Sequence, residues 1–244
     1  MPNRATGLDW GRAIETDSLD TPARAARGVG LNAQAIVDAA IVVADQDGLD
    51  AVSIRRVAAL LGVRPMSLYT HIASKDELLD LMANELVGLM LIDPPPTGGW
   101  REQLSAIARR SHETFIVHPW VLAAFARRPR PGPNAALHAK QMVRAVTELE
   151  LPPDDMWALL GIVDDYVLGA ALRAATRGVA RDLDASFTAS DIAETPELSS
   201  LSRLDHARET RVTFEAGLQT VLDGVAIRFA RSGAGIVSDS PQPA

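Results

Sequence analysis

Apolar side chains recur every three to four residues along most of this chain, and alternate-residue patterns are nearly absent. That period is the helical one, so an all-α fold is predicted. Asn32 is placed to cap a first helix over Ala33–Gln46. Its Ile36, Val37, Ala40, Ile41 and Ala44 share one face, and Gly48 stops it. Ser53 can cap a short second helix running to Leu60, and Gly62 breaks it. Pro65 suits the first turn of a third helix, Pro65–His71. Ser74-Lys75-Asp76-Glu77 is an S-x-x-E capping box that opens a fourth helix, with Leu78, Leu79, Met82, Leu86 and Leu89 on its core face.

The sharpest break is Asp93-Pro94-Pro95-Pro96-Thr97-Gly98-Gly99, where three prolines end a helix and two glycines allow redirection. It divides the chain into residues 31–93 and 94–232, with a polar arm at 1–30 and a tail at 233–244 expected to be disordered. Beyond it, helices are predicted at Trp100–Val117, Trp120–Ala126, Asn134–Leu149, Pro153–Arg177 and Arg208–Arg231. A polar stretch at 178–200 reads as a long, mobile loop.

Composition excludes several chemistries. With no cysteine, the chain has no disulfide frame, Cys zinc site or thiolate nucleophile. With 47% hydrophobic residues it can bury a core. No apolar run approaches the ~18 residues of a membrane span, and Met1–Trp10 lacks a signal-peptide pattern. No membrane partner is therefore expected, and the protein is placed in the cytoplasm.

The net charge is -7, which by itself argues against nucleic acid. Its distribution argues otherwise. From Ser53 to Lys75 there is no Asp or Glu, while Arg55, Arg56, Arg64, Lys75 and His71 all fall within that window. Two short helices joined at Gly62 inside this window read as a helix-turn-helix. Val57, Ala58, Leu61, Val63 and Leu68 can form its small core, leaving Pro65, Met66, Tyr69 and Thr70 facing outward.

The runs Ala51-Val52-Ser53-Ile54-Arg55-Arg56-Val57-Ala58, Leu61-Gly62-Val63-Arg64-Pro65-Met66-Ser67-Leu68-Tyr69-Thr70-His71 and Ser74-Lys75-Asp76-Glu77-Leu78 strongly resemble the TetR family of bacterial transcriptional repressors. The resemblance covers about 31–89. A weaker likeness to the tetracycline-repressor ligand-binding domain covers 100–230, on His118-Pro119-Trp120, on Tyr166 through Leu172, and on Phe214 through Gly224. It implies a three-helix helix-turn-helix DNA-binding domain followed by a helical ligand-binding and dimerisation domain. By position, Tyr69, His71 and Lys75 match phosphate contacts, and Ser53 and Ser67 match phosphate-contacting hydroxyls. Arg55 matches a guanine-reading position, while Pro65, Met66 and Thr70 lie where bases are touched and Arg64 adjoins them. Arg56 is read as solvated.

Two motifs lead nowhere. Gly28-Val29-Gly30-Leu31-Asn32-Ala33 fits a dinucleotide fingerprint but follows no strand. Arg24 and Arg27 of that arm are placed either toward DNA or in solvent. Ser111-His112-Glu113 has triad chemistry, but neighbouring helical side chains diverge by about 100° and cannot form a relay. The Asp164-Asp165 pair reads as an exposed or interface carboxylate pair. No enzyme class gains positive support, and no cofactor is called for.

Helix 153–177 is apolar around most of its circumference, through Trp157, Leu159, Leu160, Ile162, Val163, Tyr166, Val167 and Leu172, so it must be buried on two sides. Helix 208–231 shows the same excess. The family pairs its last two long helices with their symmetry mates, so Val163, Val167, Leu218, Val221, Leu222 and Val225 are expected at a homodimer seam. Aromatics concentrate beyond Gly99, among them Phe115 and Phe187. Trp120, Phe125, Met142, Trp157 and Tyr166 are the expected contacts of a small-molecule effector. Tetracycline repressors hold drug-bound magnesium with a His, a Thr and a Glu. Here those positions fall on Ala124, Arg127 and Arg173, so a metal-free effector is expected.

The sequence therefore points to a homodimeric, ligand-responsive regulator, most simply a repressor, on palindromic double-stranded DNA at the nucleoid. Two alternatives stay open: an architectural DNA-binding protein without an inducer, and an all-α carrier or enzyme with a vestigial DNA-binding domain.

Overall fold

The computed structural model describes residues 31–176 and 209–230, and all regular structure in them is helical. The expectations for the arm at 1–30, the loop at 178–200, Phe187 and the tail at 233–244 lie outside the described residues.

Asn32 caps α1 (Ala33–Asp47), its side-chain oxygen accepting from the Ala35 amide at 2.8 Å. A 3-10 turn, Leu49–Ala51, leads to α2 (Ile54–Leu61), which Ser53 caps by accepting from the Arg56 amide. Gly62 ends α2 at φ 68°, ψ 27°, a left-handed conformation natural to glycine. The Val63 amide then donates back to the Ala58 carbonyl at 3.0 Å, and this reversal sets the angle of the next helix.

Helix α3 spans only Pro65–Leu68, three residues shorter than predicted. The Thr70 hydroxyl donates to the Ser67 carbonyl at 2.7 Å, and Tyr69–His71 close into a turn on Leu68. Helix α4 (Lys75–Met90) begins at the predicted box. Ser74 accepts from the Glu77 amide, while Glu77 accepts from the Ala73 amide, one residue before the cap.

The second half of the chain contributes α5 (Trp100–Val117), α6 (Val121–Ala126), α7 (Pro133–Val146, continued by a 3-10 turn to Leu149), α8 (Pro153–Ala175) and α9 (Glu209–Ala230). Helix α5 packs against α8 and α7, and α9 packs against α8.

Helix α4 belongs to both halves. Its first turns bury Leu78, Leu79 and Met82 with Ile36, Val57 and Leu68 of the N-terminal helices. Its last turns are fixed to α7. Asn134 donates from its amide to the Asn84 side chain and from its own side chain to the Asn84 carbonyl, both at 2.9 Å. Gln141 brackets the Ile92 peptide in the same way, at 3.3 and 2.8 Å. A Cβ at Gly88 would lie 2.6 Å from the Asn134 amide nitrogen, so glycine permits this approach. Helix α4 is thus positioned to carry displacement from one half to the other.

Candidate nucleic-acid interface and effector cavity

The N-terminal helices bury Val57, Ala58, Leu68 and Ile72, and Leu61 and Val63 pack partly against that core. The opposite side is left to solvent. Arg55, Arg64, Pro65, Met66, Tyr69, Thr70 and His71 are exposed, and Ser53, Ser67 and Lys75 are half-buried. Met66 is 73% and Tyr69 45% exposed, so neither serves mainly as core. Arg56 is engaged otherwise, in an ion pair with Asp47 of α1, which agrees with its reading as a solvated side chain.

Two details refine the chemistry of this edge. Thr70 has donated its hydroxyl proton to the backbone and presents its methyl and lone pairs. Lys75 lies at the first helical position of α4, beside that helix's unpaired amides.

Between the two halves, one carboxylate makes a junction that the sequence does not signal. Asp45, on α1, accepts with a single oxygen from His118 Nδ1 at 2.7 Å and from Trp120 Nε1 at 2.6 Å. Both donors belong to buried residues at the α5–α6 corner. Trp120 is therefore not a cavity contact, contrary to expectation, because its indole N–H points to α1.

A cavity of about 260 Å³ lies among α4, α5, α6, α7 and α8. Val87 and Met90 of α4 and Phe115 and Phe125 form one side of it, the two rings meeting edge to face at 5.9 Å. Met142, Leu160, Val167 and Leu168 continue the apolar wall, and Trp157 adjoins it with its side chain 74% exposed. Phe125, Met142 and Trp157, three of the expected effector contacts, line this cavity. Tyr166 does not. Its hydroxyl donates to the Phe214 carbonyl at 2.8 Å and its ring stacks on Phe214, which ties α8 to α9.

Three polar residues enter the cavity: Ser111, His138 and Asp164. Ser111 Oγ lies 3.4 Å from His138 Nε2. Burial pushes the His138 imidazole below its ordinary value, toward the neutral form. Asp164 is a solvent-exposed residue at the cavity's edge, yet partial burial of its carboxyl, together with Asp165, pushes it up to about 6. In the sequence Ser111 and Asp164 belong to pairs and runs that signal no function by themselves. His112 stacks on Phe214 at 3.8 Å while Ser111 turns to His138 and Glu113 to solvent, so no relay forms.

Two of the positions matching the tetracycline–magnesium ligands lie elsewhere. Ala124 and Arg127 border a smaller cleft beside Asp80, and Arg127 bonds Asp50 at 3.1 Å. Among the described residues no group of three or more His, Asp or Glu side chains could hold a metal ion. None of their helices is long and apolar enough to cross a membrane.

The dimer seam needs a larger correction. Val163, Val167, Leu218 and Leu222 are at most 2% exposed within one protomer, and Val225 is buried too. They fill the protomer's own core where α8 meets α5 and α9, and Val221 packs partly against it. Besides Trp157, the outward large apolar residues of these helices are Ile162, Leu172 and Ile227, at 47%, 54% and 59% exposure.

Comparison with known proteins decides the family. Residues 36–82 match the model for bacterial regulatory proteins of the tetR family, and residues 94–229 match the tetracyclin repressor-like C-terminal domain. The chain belongs to the TetR family. The HTH-type transcriptional repressor DrrR1 of Streptomyces coeruleorubidus is 32% identical over 235 residues, spanning 87% of this chain and 84% of the relative. ActR of Streptomyces coelicolor in complex with actinorhodin superposes with a TM-score of 0.69 at 25% identity, over 85% of this chain and 100% of ActR. BioQ of Mycobacterium smegmatis, solved with its double-stranded DNA operator, gives a TM-score of 0.56 at 25% identity, over 81% of this chain and 99% of BioQ. As a TetR-family member, the protein is a helix-turn-helix transcriptional regulator.

Proposed function

We propose that the protein represses transcription by placing the Ser53–Lys75 edge of each protomer on a near-palindromic operator, and that a small molecule in the α4–α8 cavity releases it. One observation carries the proposal: an acid-free, solvent-facing basic edge and an apolar cavity share a single helix, α4.

In this reading Arg55 reads a base edge, and Lys75, Tyr69, His71, Ser53 and Ser67 hold phosphates. Arg64, Pro65, Met66 and Thr70 lie nearest the bases, and the methyls of Met66 and Thr70 suit a thymine methyl. The dimer forms on the outward side of α8 and α9, around Ile162, Leu172 and Ile227, where Gly161 and Gly224 leave open space for close helix approach. Ligand and DNA favour different separations of the two recognition helices, so binding one lowers the population competent for the other. The protein would act in the cytoplasm, where its operator is.

Selection of bound sequences from random duplex DNA tests this, followed by a release screen with small molecules. Enrichment of a two-fold symmetric site with half-sites about one helical turn apart, ~34–36 Å, is expected. Recovery of no sequence preference, or of a site that no ligand releases, would refute it.

A further inference from the structure

We infer that the effector is a cation: an aromatic ring system bearing a protonated amine, its rings against Phe115, Phe125 and Met142 and its ammonium on Asp164. The inference rests on the cavity being the effector site and deepens that reading.

The argument starts from the charges that line the cavity. Among the described residues that line it, Asp164 is the one formally charged side chain, and none is Lys or Arg. On α8, Leu160, Asp164, Val167 and Leu168 share one helical face, so the carboxyl stands within an apolar stripe. Asp164 keeps contact with solvent, but the side of its carboxyl that faces these apolar groups is disfavoured as an anion unless a cation or a donor meets it there. No ion pair of Asp164 occurs among the described residues. An amine-bearing ligand would supply the missing charge, while an anionic ligand would add repulsion to desolvation.

The other polar groups fit the same occupant. His138 is the second titratable group of the lining, carried by α7, and Ser111 of α5 lies beside it. The α4 and α6 walls contribute none, and Asp165 is the acidic neighbour on α8 itself. A neutral imidazole has one acceptor nitrogen and a hydroxyl oxygen can also accept, so these groups add no positive charge that would oppose a cation. The rings of Phe115, Phe125 and Trp157 add π faces that favour a cation over a neutral group of the same shape. A lone carboxylate is a poor metal site but an adequate partner for an organic ammonium.

The test uses the full-length dimer and three probes that share a ring system and differ in charge: 9-anthracenemethylamine, 9-anthracenemethanol and 9-anthracenecarboxylate. Titration calorimetry is run at about pH 8, where the carboxyl is ionised. The amine should bind at least about tenfold more tightly than the alcohol, with the acid weakest. Asp164→Asn should lower amine affinity about tenfold and leave the alcohol within about threefold. Asp165→Asn, one residue off the cavity face, should leave both within about threefold. With the Asp164 carboxyl pushed up to about 6, lowering the pH to about 5 should weaken amine binding roughly fivefold in the native protein, since the protonated form still binds as the Asn variant does. Protonation of His138 would add to that loss, and Asp164→Asn reports its share.

Alcohol or carboxylate binding as tight as the amine, or an Asp164→Asn protein that holds the amine undiminished, would overturn the charge inference and leave the cavity reading intact. Failure of all three probes to bind would count against the cavity as the effector site and against this inference with it.

Discussion

Replacing Asp45 by alanine should disconnect the DNA-binding half from the effector half at a cost that follows from two bonds. One Asp45 oxygen accepts from His118 Nδ1 at 2.7 Å and Trp120 Nε1 at 2.6 Å. Hydrogen bonds to a charged acceptor contribute about 1.5–3 kcal/mol each, and a buried donor left unpaired costs about 1–3 kcal/mol. The Asp45 side chain is 32% exposed, so water can reach the vacated site and the lower ends apply. Asp45→Ala should therefore destabilise the protein by about 3 kcal/mol. Asp45→Asn, which keeps an acceptor oxygen but not the charge, should cost about half as much. Urea unfolding at fixed protomer concentration measures both. The functional consequence is sharper: α1 loses its bond to the corner between α5 and α6, so effector affinity should persist while operator release by saturating effector falls. An Asp45→Ala protein within about 0.5 kcal/mol of the native one, a change typical of neutral surface sites, would refute the energetic argument. Undiminished release would refute the junction's part in coupling.

Other outcomes follow from single sites. Lys75→Ala should weaken binding to all duplexes alike and lower the salt slope by about one unit per half-site, whereas Arg55→Ala should lose ~1–3 kcal/mol of discrimination at one base pair; competition binding across a salt series separates them. Ile162→Glu with Ile227→Glu should yield folded monomers in sedimentation, because both residues face outward. Leu222→Glu should instead unfold the protomer, since that side chain is fully buried. Asp164→Asn should stabilise the unliganded protein at neutral pH by at most about 1 kcal/mol, allowing for solvent at the cavity mouth. Its acid is raised from 3.8 to about 6, so the native protein's penalty grows as pH rises through that interval and is constant above it. Thermal unfolding should find the two proteins equal near the lower value.

Local signals made most of the fold legible. The Asn32, Ser53 and Ser74 caps and the Gly48 and Gly62 stops lie where the chain places them, because each acts within a few residues of itself. Helix α3 ended early because Thr70 found a backbone acceptor, a competition that periodicity does not register. Faces were harder. Helices α8 and α9 are apolar on two sides, and spacing does not say which side meets a partner. Val163 and Leu218 went to the protomer's core while Ile162 and Ile227 remained outside. Nor does aromatic clustering give an address: Phe125 reached the cavity, while Trp120 found Asp45, 75 residues earlier in the chain. Asp164 and Asp165 are adjacent and chemically equal in sequence, and only packing from α5 and α7 distinguishes them.

The charge distribution joins the two sites in one argument. A net charge of -7 repels DNA from most of the surface, so productive encounters occur through the acid-free Ser53–Lys75 edge. Non-specific affinity is thereby reduced more than operator affinity, since a bound operator also makes base contacts and engages two such edges at fixed spacing. The same anionic field raises the local concentration of small cations, and Asp164 gives them a destination within an apolar wall. An excess of acid that first argued against a nucleic-acid partner therefore serves both recognition steps. It confines DNA to one edge of each protomer and draws toward the cavity a ligand whose charge DNA would also attract. Such a ligand must prefer the DNA-free state by binding energy in the cavity, because its charge alone does not separate the two states. That places the discrimination in Phe115, Phe125 and Met142, whose helices pack against α4 and through it adjust the recognition edge.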